Sequence, residues 1–443
     1  MEERSITRAL ARFISNISYE NLPNEVKKRA KNLLLDALST AIAGRDLPWC
    51  QMALKLVTGG KGDATIFGHS LKASVLDAAF VNSVLVASMA QEDFLFTFHP
   101  GMVNVPAAIA IGEKEGSSGA EVITALVIGY DVMGRVSLGG PSIAPRFRGV
   151  SAYGPFGAAA AAGKLLKLNE DQLTNALGFA ANSACGLTEC WSAGTMEGNF
   201  HGGMAARNGI VAADLAKAGA LAAEKSLEGK FGFYQAFAGI TDQAGMAIQD
   251  IGKRFLIMET MYKPYPVCAQ QQVPIDLVLR SVKQYHIDSS AIVQVIERVS
   301  SWEAAFPGSD NPGPFKNPGQ TLLSAQFCAA AAFLGKPVSS HRFYMNQYDD
   351  AEISTLAKRI RLIGERDRQT RKIEVELKDG KTYCIEEEGE SILTPTEERI
   401  RTKFKELTSS IIGERKADEI IDMVLNLDKC PSILELTKKL NLR

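Results

Sequence analysis

The chain has 443 residues, of which 46% are hydrophobic and 22% are charged, and its formal net charge at pH 7 is -1. This composition is typical of a globular protein with a large core, and the length indicates roughly two or three domains. A net charge near zero gives no reason to expect nucleic acid or an anionic membrane as a partner. The apolar stretch at residues 78–90 is too short to span a bilayer. Because the N-terminus is charged and does not resemble a signal peptide, we expect a cytoplasmic protein.

The cysteines and histidines give no sign of a metal site. Seven cysteines are scattered, odd in number and without a C-x-x-C pair: Cys50, Cys185, Cys190, Cys268, Cys328, Cys384 and Cys430. Five histidines lack H-x-x-x-H spacing: His69, His99, His201, His286 and His341. A disulfide framework, a structural zinc and an iron–sulfur cluster are therefore not expected. We predict chemistry that needs no metal.

Helical periodicity dominates the first 260 residues. The elements predicted here are, in chain order, two helices within 5–44, a short extended piece at 63–68, and helices over 76–90, from about 104 and over 122–136. Between two of these helices, residues 91–101 have no clean period and end in the turn Pro100-Gly101. This segment is predicted to be irregular.

Two glycine-rich stretches precede alanine-rich helices, at 154–157 and at 194–203. Both are predicted to be loops, and a loop that enters a helix points free backbone N–H groups at an anion. Arg207, one turn into the second helix, would add a bidentate grip on a carboxylate. In the alternative, glycine and alanine let the helix pack closely and Arg207 forms a structural ion pair. The sequence slightly favours that alternative.

The pattern changes at Lys263-Pro264-Tyr265-Pro266. A helix near 273–285 and a strand at 292–299 follow, and two alternating segments around Asp379-Gly380 predict a β-hairpin. A capping box at residues 394–397, with proline at the first helical position, begins a new helix.

These elements predict a mainly α protein with a smaller α+β part. We expect a large all-helical domain at 1–262 and a small α+β lid domain with an antiparallel sheet at 263–393. The C-terminal helices, at 394–443, are expected to return to the helical domain.

In order and spacing, several short motifs together resemble the MmgE/PrpD family. They are Leu22-Pro23 with Asp36 and Gly44, Val81-Asn82, His99-Pro100-Gly101, Gly129-Tyr130-Asp131 with Arg135, Gly157-Ala158-Ala159-Ala160, Ala205-Ala206-Arg207-Asn208-Gly209 and Lys263-Pro264-Tyr265-Pro266. The family includes 2-methylcitrate dehydratases, cis-aconitate decarboxylases and iminodisuccinate epimerases. The resemblance covers nearly the whole chain. It implies a helical domain with a lid domain, a homodimer, no cofactor and a small polycarboxylate substrate.

The resemblance transfers the family's site residues only in part. His99 matches the histidine of the family's HPG-type turn, Glu92 and Asp93 fall near its acidic pair, and Arg207 stands where members have Arg or Lys. Five positions depart from the family: Ala90 replaces an acid, Arg148 and Gln272 replace histidines, Gly198 replaces a lysine, and Phe327 or a neighbour replaces a tyrosine. The departures concern proton-transfer groups and leave the fold motifs intact.

We predict that His99 is the base, since a helix N-terminus behind it keeps the imidazole neutral. Asp93 and Thr97 are predicted to orient His99 or to bind substrate. The predicted substrate-binding residues are Arg148, Arg207, Gln272 and His201, with the arginines clamping carboxylates and Gln272 unable to move protons. For His201, a role in holding its loop is equally compatible with the sequence.

Three functions remain open from the sequence. The first is a cofactor-independent lyase that abstracts a proton next to a carboxylate of a small di- or tricarboxylate and then expels water, another leaving group or carbon dioxide. The second is an epimerase that returns the same proton to a succinylated amino acid. The third is a catalytically impaired protein that still binds carboxylates.

Overall fold

A computed structural model of the chain describes residues 5–57, 62–143, 146–193, 195–388 and 391–442, with only the main chain at Trp191 and Ser192. The chain divides into two compact units. The first consists of Met1–Thr188, Met196–Tyr262 and Pro395–Arg443, and the second of Glu189–Thr195 and Lys263–Thr394. Gly194, with which the predicted glycine loop begins, lies outside the described residues.

Helices make up most of the chain, which confirms the predicted mainly α fold with a smaller α+β part. The α-helices are, in chain order, α1 (Ile6–Asn16), α2 (Asn24–Ala43), α3 (Pro48–Leu54), α4 (Val75–Ala87), α5 (Gly101–Glu115), α6 (Gly119–Gly139), α7 (Gly149–Leu165), α8 (Glu170–Asn182), α9 (Glu189–Ala193), α10 (Glu197–Lys217), α11 (Phe233–Ala238), α12 (Gln272–Tyr285), α13 (Ser301–Ala304), α14 (Pro318–Leu323), α15 (Ala325–Phe333), α16 (His341–Asn346), α17 (Ala351–Ala357), α18 (Glu397–Ile412), α19 (Glu414–Leu425) and α20 (Leu434–Leu440).

Helix α7 forms the centre of the first unit and packs against α5, α6, α8 and α10. Every residue of α7 except Lys164 is buried. Its glycines and alanines allow α10 to approach closely, since a Cβ placed on Gly209 would lie only 2.4 Å from Cβ of Ala158. Such close contacts exclude larger side chains from this crossing. The two helices therefore meet nearly backbone to backbone.

The prediction that 194–203 forms a loop is wrong from Glu197 onward, because α10 begins there and includes Gly198, Gly202 and Gly203. A Cβ on Gly203 would lie 2.8 Å from the Phe80 carbonyl oxygen on α4. Because these glycines have no side chain, α10 can pack closely against its neighbours. The stabilisation from this packing outweighs the low helix propensity of glycine. The alternative interpretation of this stretch is confirmed for the closely packed helix, but the structural ion pair that it expected for Arg207 is not present among the described residues.

Three other predicted helix starts also lie elsewhere. Helix α5 begins at Gly101 and α7 at Gly149, so the glycines at 154–157 lie inside a helix. Helix α18 begins at Glu397, two residues after the predicted first helical position at Pro395, with the Thr396 side chain accepting the N–H of Arg399 at 3.3 Å. Pro395 stays outside this helix, where its carbonyl oxygen accepts the Asn32 side-chain amide at 3.0 Å.

Helix α6 is long and apolar enough to cross a membrane, judged by length and composition alone. However, 94% of its most apolar window is buried inside the protein. Its buried side includes Tyr130 and the ion pair between Asp131 and Arg135. This helix is therefore part of the core of the first unit.

The second unit contains a four-stranded sheet. Its strands are β3 (Ile292–Ser300), β4 (Ile360–Glu365), β5 (Lys372–Leu377) and β6 (Thr382–Glu386), whereas β1 (Ala64–Thr65) and β2 (Lys72–Ala73) form a small antiparallel pair in the first unit. The predicted hairpin is confirmed, since β5 pairs antiparallel with β6 around Gly380, whose φ is +81°. The sheet order is β4-β3-β5-β6, and β3 and β4 are parallel. The sheet is thus mixed, which corrects the expected antiparallel sheet.

Strand β3 carries an acidic side chain on its buried face. Glu297 is 1% exposed, and its Oε2 has no hydrogen-bond partner among the described residues. Burial raises the pKa of this carboxyl to about 8, and the nearby Glu303 adds to the shift. The group is therefore largely protonated at neutral pH in the folded protein.

We expect Glu297→Gln to gain stability relative to wild type as the pH rises from 5 to 8. The raised folded-state pKa means that the folded protein holds a proton that the unfolded chain releases, so wild-type stability falls between about 4.5 and 8. The glutamine side chain of the variant does not titrate in this pH range. The difference between the free energies of unfolding of variant and wild type should change by at least about 1.4 kcal/mol, one pKa unit, over this range. The free energies of unfolding of wild type and variant are measured by urea denaturation at each pH. If both change with pH in parallel, Glu297 is not protonated in the folded protein.

Candidate active site

The irregular segment before α5 is organised by a buried carboxyl. Asp93 is 2% exposed, its Oδ1 accepts the Gly101 N–H at 2.9 Å, and its Oδ2 accepts the Tyr130 hydroxyl at 2.5 Å. Burial raises the pKa of Asp93 to about 7, while the Tyr130 hydrogen bond opposes that shift. The side chain therefore ties the first turn of α5 to α6. Both of its oxygens are used within the protein, which favours an orienting role over direct contact with substrate.

His99 is held by two acceptors on one side of its ring. Its Nδ1 lies 2.9 Å from the main-chain oxygen of Asp93 and 3.2 Å from Oε1 of Glu92. Because a carbonyl oxygen only accepts hydrogen bonds, Nδ1 carries the proton and the lone pair of the neutral ring lies on Nε2. The His99 side chain is 20% exposed, against 4% for Glu92. The geometry is that of an imidazole base oriented by a buried acid.

Thr97 lies apart from this arrangement. The main-chain groups of Leu95 and Phe98 bond to each other at 2.8 and 3.0 Å, which leaves Phe96 and Thr97 at the tip of a two-residue turn. Phe96 has a φ of 52°, and both tip residues are exposed. A contact between Thr97 and His99 or a substrate stays a prediction.

Arg148 and His201 meet at the start of α7. The guanidinium of Arg148 donates to the carbonyl oxygen of Gly198 in the first turn of α10, and the Arg148 N–H donates to Gly186 at 2.9 Å. Burial, helped by the positive charge of Arg148, lowers the pKa of His201 to about 4. His201 is therefore neutral at physiological pH. It can form hydrogen bonds with a substrate, but it is not an imidazolium that could act as a general acid.

Ser151 joins this group through the loop before α9. A Cβ placed on Gly186 would lie 2.4 Å from the Ser151 Oγ and 3.6 Å from the His201 Nδ1. Both polar atoms are buried and have no hydrogen-bond partner among the described residues. Nothing in the sequence singled out Ser151, because it looks like one more small residue in an alanine-rich helix.

The starts of three helices converge here. A Cβ on Gly149, the first residue of α7, would lie 2.9 Å from Cβ of Phe98, and a Cβ on Gly202 in α10 would lie 2.6 Å from Cε of Met102 in α5. The structure therefore brings His99, Arg148 and His201 to one region of the first unit. The first turns of α5 and α7 contain no acidic residue, so their positive ends favour an anion. The first N–H of α5 is already bound by Asp93, which leaves the start of α7 beside Arg148 as the better place for a carboxylate.

Arg207 lies elsewhere on α10. Six residues separate it from His201, which places it about 120° away around the helix. Its exposed side chain shares the outer face of α10 with Met204, Val211 and Leu215, and it makes no hydrogen bond or ion pair with the described residues. Binding of substrate by Arg207 stays a prediction, as does the homodimer.

Gln272 belongs to the second unit and is fully buried. Its Oε1 accepts the Tyr265 N–H at 2.9 Å, and its Nε2 donates to the carbonyl oxygens of Tyr265 and Val267 at 2.8 and 3.0 Å. These bonds fold residues 265–267 onto the start of α12. They account for Gln272 without a ligand, so its predicted contact with substrate is untested.

Glu92 is the site residue that sequence reasoning did not select. Its position near the family's acidic pair was visible, but an irregular segment gives no rule for which acid meets a histidine seven residues later. Across the described residues, no three His, Cys, Asp or Glu side chains form a group that could hold a metal ion.

Comparison with known proteins assigns both parts of the chain. Residues 8–244 match the MmgE/PrpD N-terminal domain, and residues 265–429 match the MmgE/PrpD C-terminal domain. The cis-aconitate decarboxylase of Aspergillus terreus (strain NIH 2624 / FGSC A1156) is 25% identical over 98% of this chain and 96% of its own length. The cis-aconitate decarboxylase-like protein oryM of Aspergillus oryzae is 26% identical over 98% and 97%. The human cis-aconitate decarboxylase is 24% identical over 98% and 94%.

We expect Gly101→Ala to destabilise the protein by about 1–3 kcal/mol, because overpacking a buried site forces neighbouring groups apart. The added Cβ would lie 2.6 Å from Oδ1 of Asp93 and 2.7 Å from the Tyr130 hydroxyl. Gly245→Ala is the matched control, since its Cβ would meet nothing within 4 Å. Equal midpoints of chemical denaturation for the two variants would show that the α5 start is not held as described.

Proposed function

Because the chain belongs to the MmgE/PrpD family, and two of the relatives named above are cis-aconitate decarboxylases, we propose that it is a cofactor-independent lyase acting on a small di- or tricarboxylate. The observation that carries this proposal is the pairing of His99 with Glu92 and the Asp93 carbonyl, which leaves Nε2 as the proton-exchanging atom. A cytoplasmic location and a homodimer accompany the proposal as expectations.

The substrate carboxylate is proposed to bind at the start of α7, beside the guanidinium of Arg148. Neutral His201 and the Ser151 hydroxyl offer further polar contacts there. When a proton leaves the carbon next to a carboxylate, negative charge spreads onto the carboxylate oxygens. The positive helix end and Arg148 stabilise that charge, which is usually the largest catalytic contribution.

Dehydration and decarboxylation would use His99 in opposite protonation states. In a dehydration, neutral His99 takes the proton from carbon, the electron pair of the broken C–H bond forms the double bond, and the C–O bond breaks so that hydroxide leaves. In a decarboxylation, the C–C bond to a carboxylate breaks, carbon dioxide leaves, the bonding electron pair stays on the remaining fragment as a carbanion, and protonated His99 supplies the proton that quenches it. In both cases Glu92 stabilises the imidazolium.

The pH–rate profile distinguishes these two reactions. Turnover of a dehydratase substrate should rise with pH along one limb, as His99 loses its proton, and turnover of a decarboxylase substrate should fall along one limb. The measurement is kcat/KM against pH for 2-methylcitrate and for cis-aconitate. A limb that persists in Glu92→Gln at the same pH would show that the titrating group is not the paired imidazole.

The role of His99 is tested by substitution. His99→Gln should lower kcat by about 10² to 10⁴, the usual contribution of a general acid–base group, with little change in ligand affinity. His286→Asn is the matched control, since it removes an exposed imidazole from the second unit, and asparagine tolerates the φ of 51° at that position. A fully active His99→Gln variant would assign the base to another residue.

The substrate is sought with 2-methylcitrate, citrate, cis-aconitate, iminodisuccinate and succinylated cysteine, each followed by NMR in deuterated water. New olefin signals or released carbon dioxide support the lyase. Deuterium uptake without net product would indicate the epimerase instead. Saturable binding without any exchange would indicate a protein that binds carboxylates but has lost catalysis.

A further inference from the structure

A lysine from the C-terminal segment is buried next to the irregular segment that carries the site. Lys403, on α18, is 5% exposed, and its Nζ donates to Oδ1 of Asp36 and to the main-chain oxygen of Gln91, each at 2.6 Å. Asp36, on α2, is fully buried. Burying two charges is costly, and the cost is offset only by a close pair with further hydrogen bonds. Here the further hydrogen bond is the one to Gln91.

The carbonyl group that Lys403 holds lies directly before the two residues that contact His99. Gln91 precedes Glu92, whose Oε1 lies 3.2 Å from Nδ1 of His99, and Asp93, whose main-chain oxygen lies 2.9 Å from the same atom. Residues 91–93 are buried but belong to no helix. Their main chain therefore depends on side-chain partners such as Lys403 for its position.

The charge of Asp36 also reaches this segment. Burial is the main cause of the raised pKa of Asp93, with the Tyr130 hydrogen bond opposing it and the negative charge of Asp36 raising it further. The same charge contributes to the raised pKa of Tyr130. The ammonium group of Lys403 forms an ion pair with the Asp36 carboxylate and offsets its negative charge. The pair thus affects both the position and the electrostatics of the segment.

We propose that Lys403 is a positioning residue for His99. By donating a hydrogen bond to the Gln91 carbonyl oxygen, Lys403 fixes residues 91–93 so that the Glu92 carboxylate and the Asp93 carbonyl oxygen both lie next to Nδ1 of His99. The proton is then kept on Nδ1, and the lone pair of the ring lies on Nε2. Lys403 acts through residues 91–93 and is not assigned a contact with substrate. The consequence for turnover rests on the proposed function, but the consequence for the tautomer of His99 does not.

The chain contains a second lysine with the same chemistry at a place that does not touch residues 91–93. Nζ of Lys31, on α2, donates to Oδ1 of Asp428 at 2.6 Å and to the carbonyl oxygen of Leu425 at 2.8 Å. Like Lys403, it joins α2 to the C-terminal segment through one carboxylate and one carbonyl group. Lys31→Met therefore controls for the general loss of such a link.

The experiment compares Lys403→Met, Lys403→Arg, the double variant Asp36→Asn/Lys403→Met and Lys31→Met in the full-length chain. The double variant leaves no unpaired buried charge, so we expect it to fold even where Lys403→Met alone does not. Folding is checked by circular dichroism. The tautomer of His99 is read from long-range proton–nitrogen NMR spectra of protein with labelled histidine, and its signals are identified by their loss in His99→Gln.

In wild type and Lys31→Met we expect the Nδ1–H tautomer. In the folded Lys403→Met or double variant we expect a mixture of tautomers. With whichever compound of the panel turns over, kcat should fall by about 10-fold or more, as for other residues that orient a site, while KM changes by less than about 3-fold. Lys403→Arg, which keeps the charge and the donors, should retain more of kcat than Lys403→Met.

A folded double variant with the wild-type tautomer would overturn the proposal, and so would an equal change of tautomer in Lys31→Met. If no compound is turned over by wild type, the proposed function fails. The tautomer measurement still decides the role of Lys403 in that case.

Discussion

The carboxyl of Asp93 is the interaction on which the site depends. It joins an irregular segment to the first turn of the helix that follows it, α5, and to the middle of α6, which lies 37 residues further along the chain. The main-chain oxygen of Asp93 lies 2.9 Å from Nδ1 of His99, so this one residue both caps α5 and orients the imidazole. Burial raises the pKa of this carboxyl to about 7, and its two donors keep it in place. The position of His99 follows from that anchoring.

Close helix packing is the second requirement. Because α7 and α10 meet through glycine and alanine, Arg148 at the start of α7 can reach the Gly198 carbonyl group at the start of α10. Larger side chains at Gly209 would separate the two helices and move Arg148 away from His201. The same small residues that build the core of the first unit therefore also bring the polar groups of the site together. Stability and geometry of the site cannot be altered independently at this crossing.

Several features could be predicted from local pattern. Alternating residues around Asp379-Gly380 predicted the β5–β6 hairpin, because register and turn type are set by neighbours in sequence. Helical periodicity predicted α2 and α12 to within a few residues. By contrast, β4 was missed: its pairing with β3 is parallel and joins residues about 65 positions apart, which no local pattern reports. The glycines of α10 were assigned to a loop because their packing partners, such as Phe80 on α4, are distant in sequence.

For the site, the residue types could be recognised without the structure: a histidine before a Pro-Gly turn, acids just ahead of it, and arginines near two glycine-rich helices. Tertiary structure decided which of them meet. It placed Glu92 on His99, put Thr97 at an exposed tip and Arg207 on an outer helix face, and enclosed Gln272 in main-chain hydrogen bonds. The reason is physical. Residues 91–99 have no helical or strand period that would fix their side-chain directions. Their long-range partners include Tyr130 on α6, which bonds the Asp93 carboxyl, and Lys403 on α18, which bonds the Gln91 main-chain oxygen, and these contacts exist only in the folded chain.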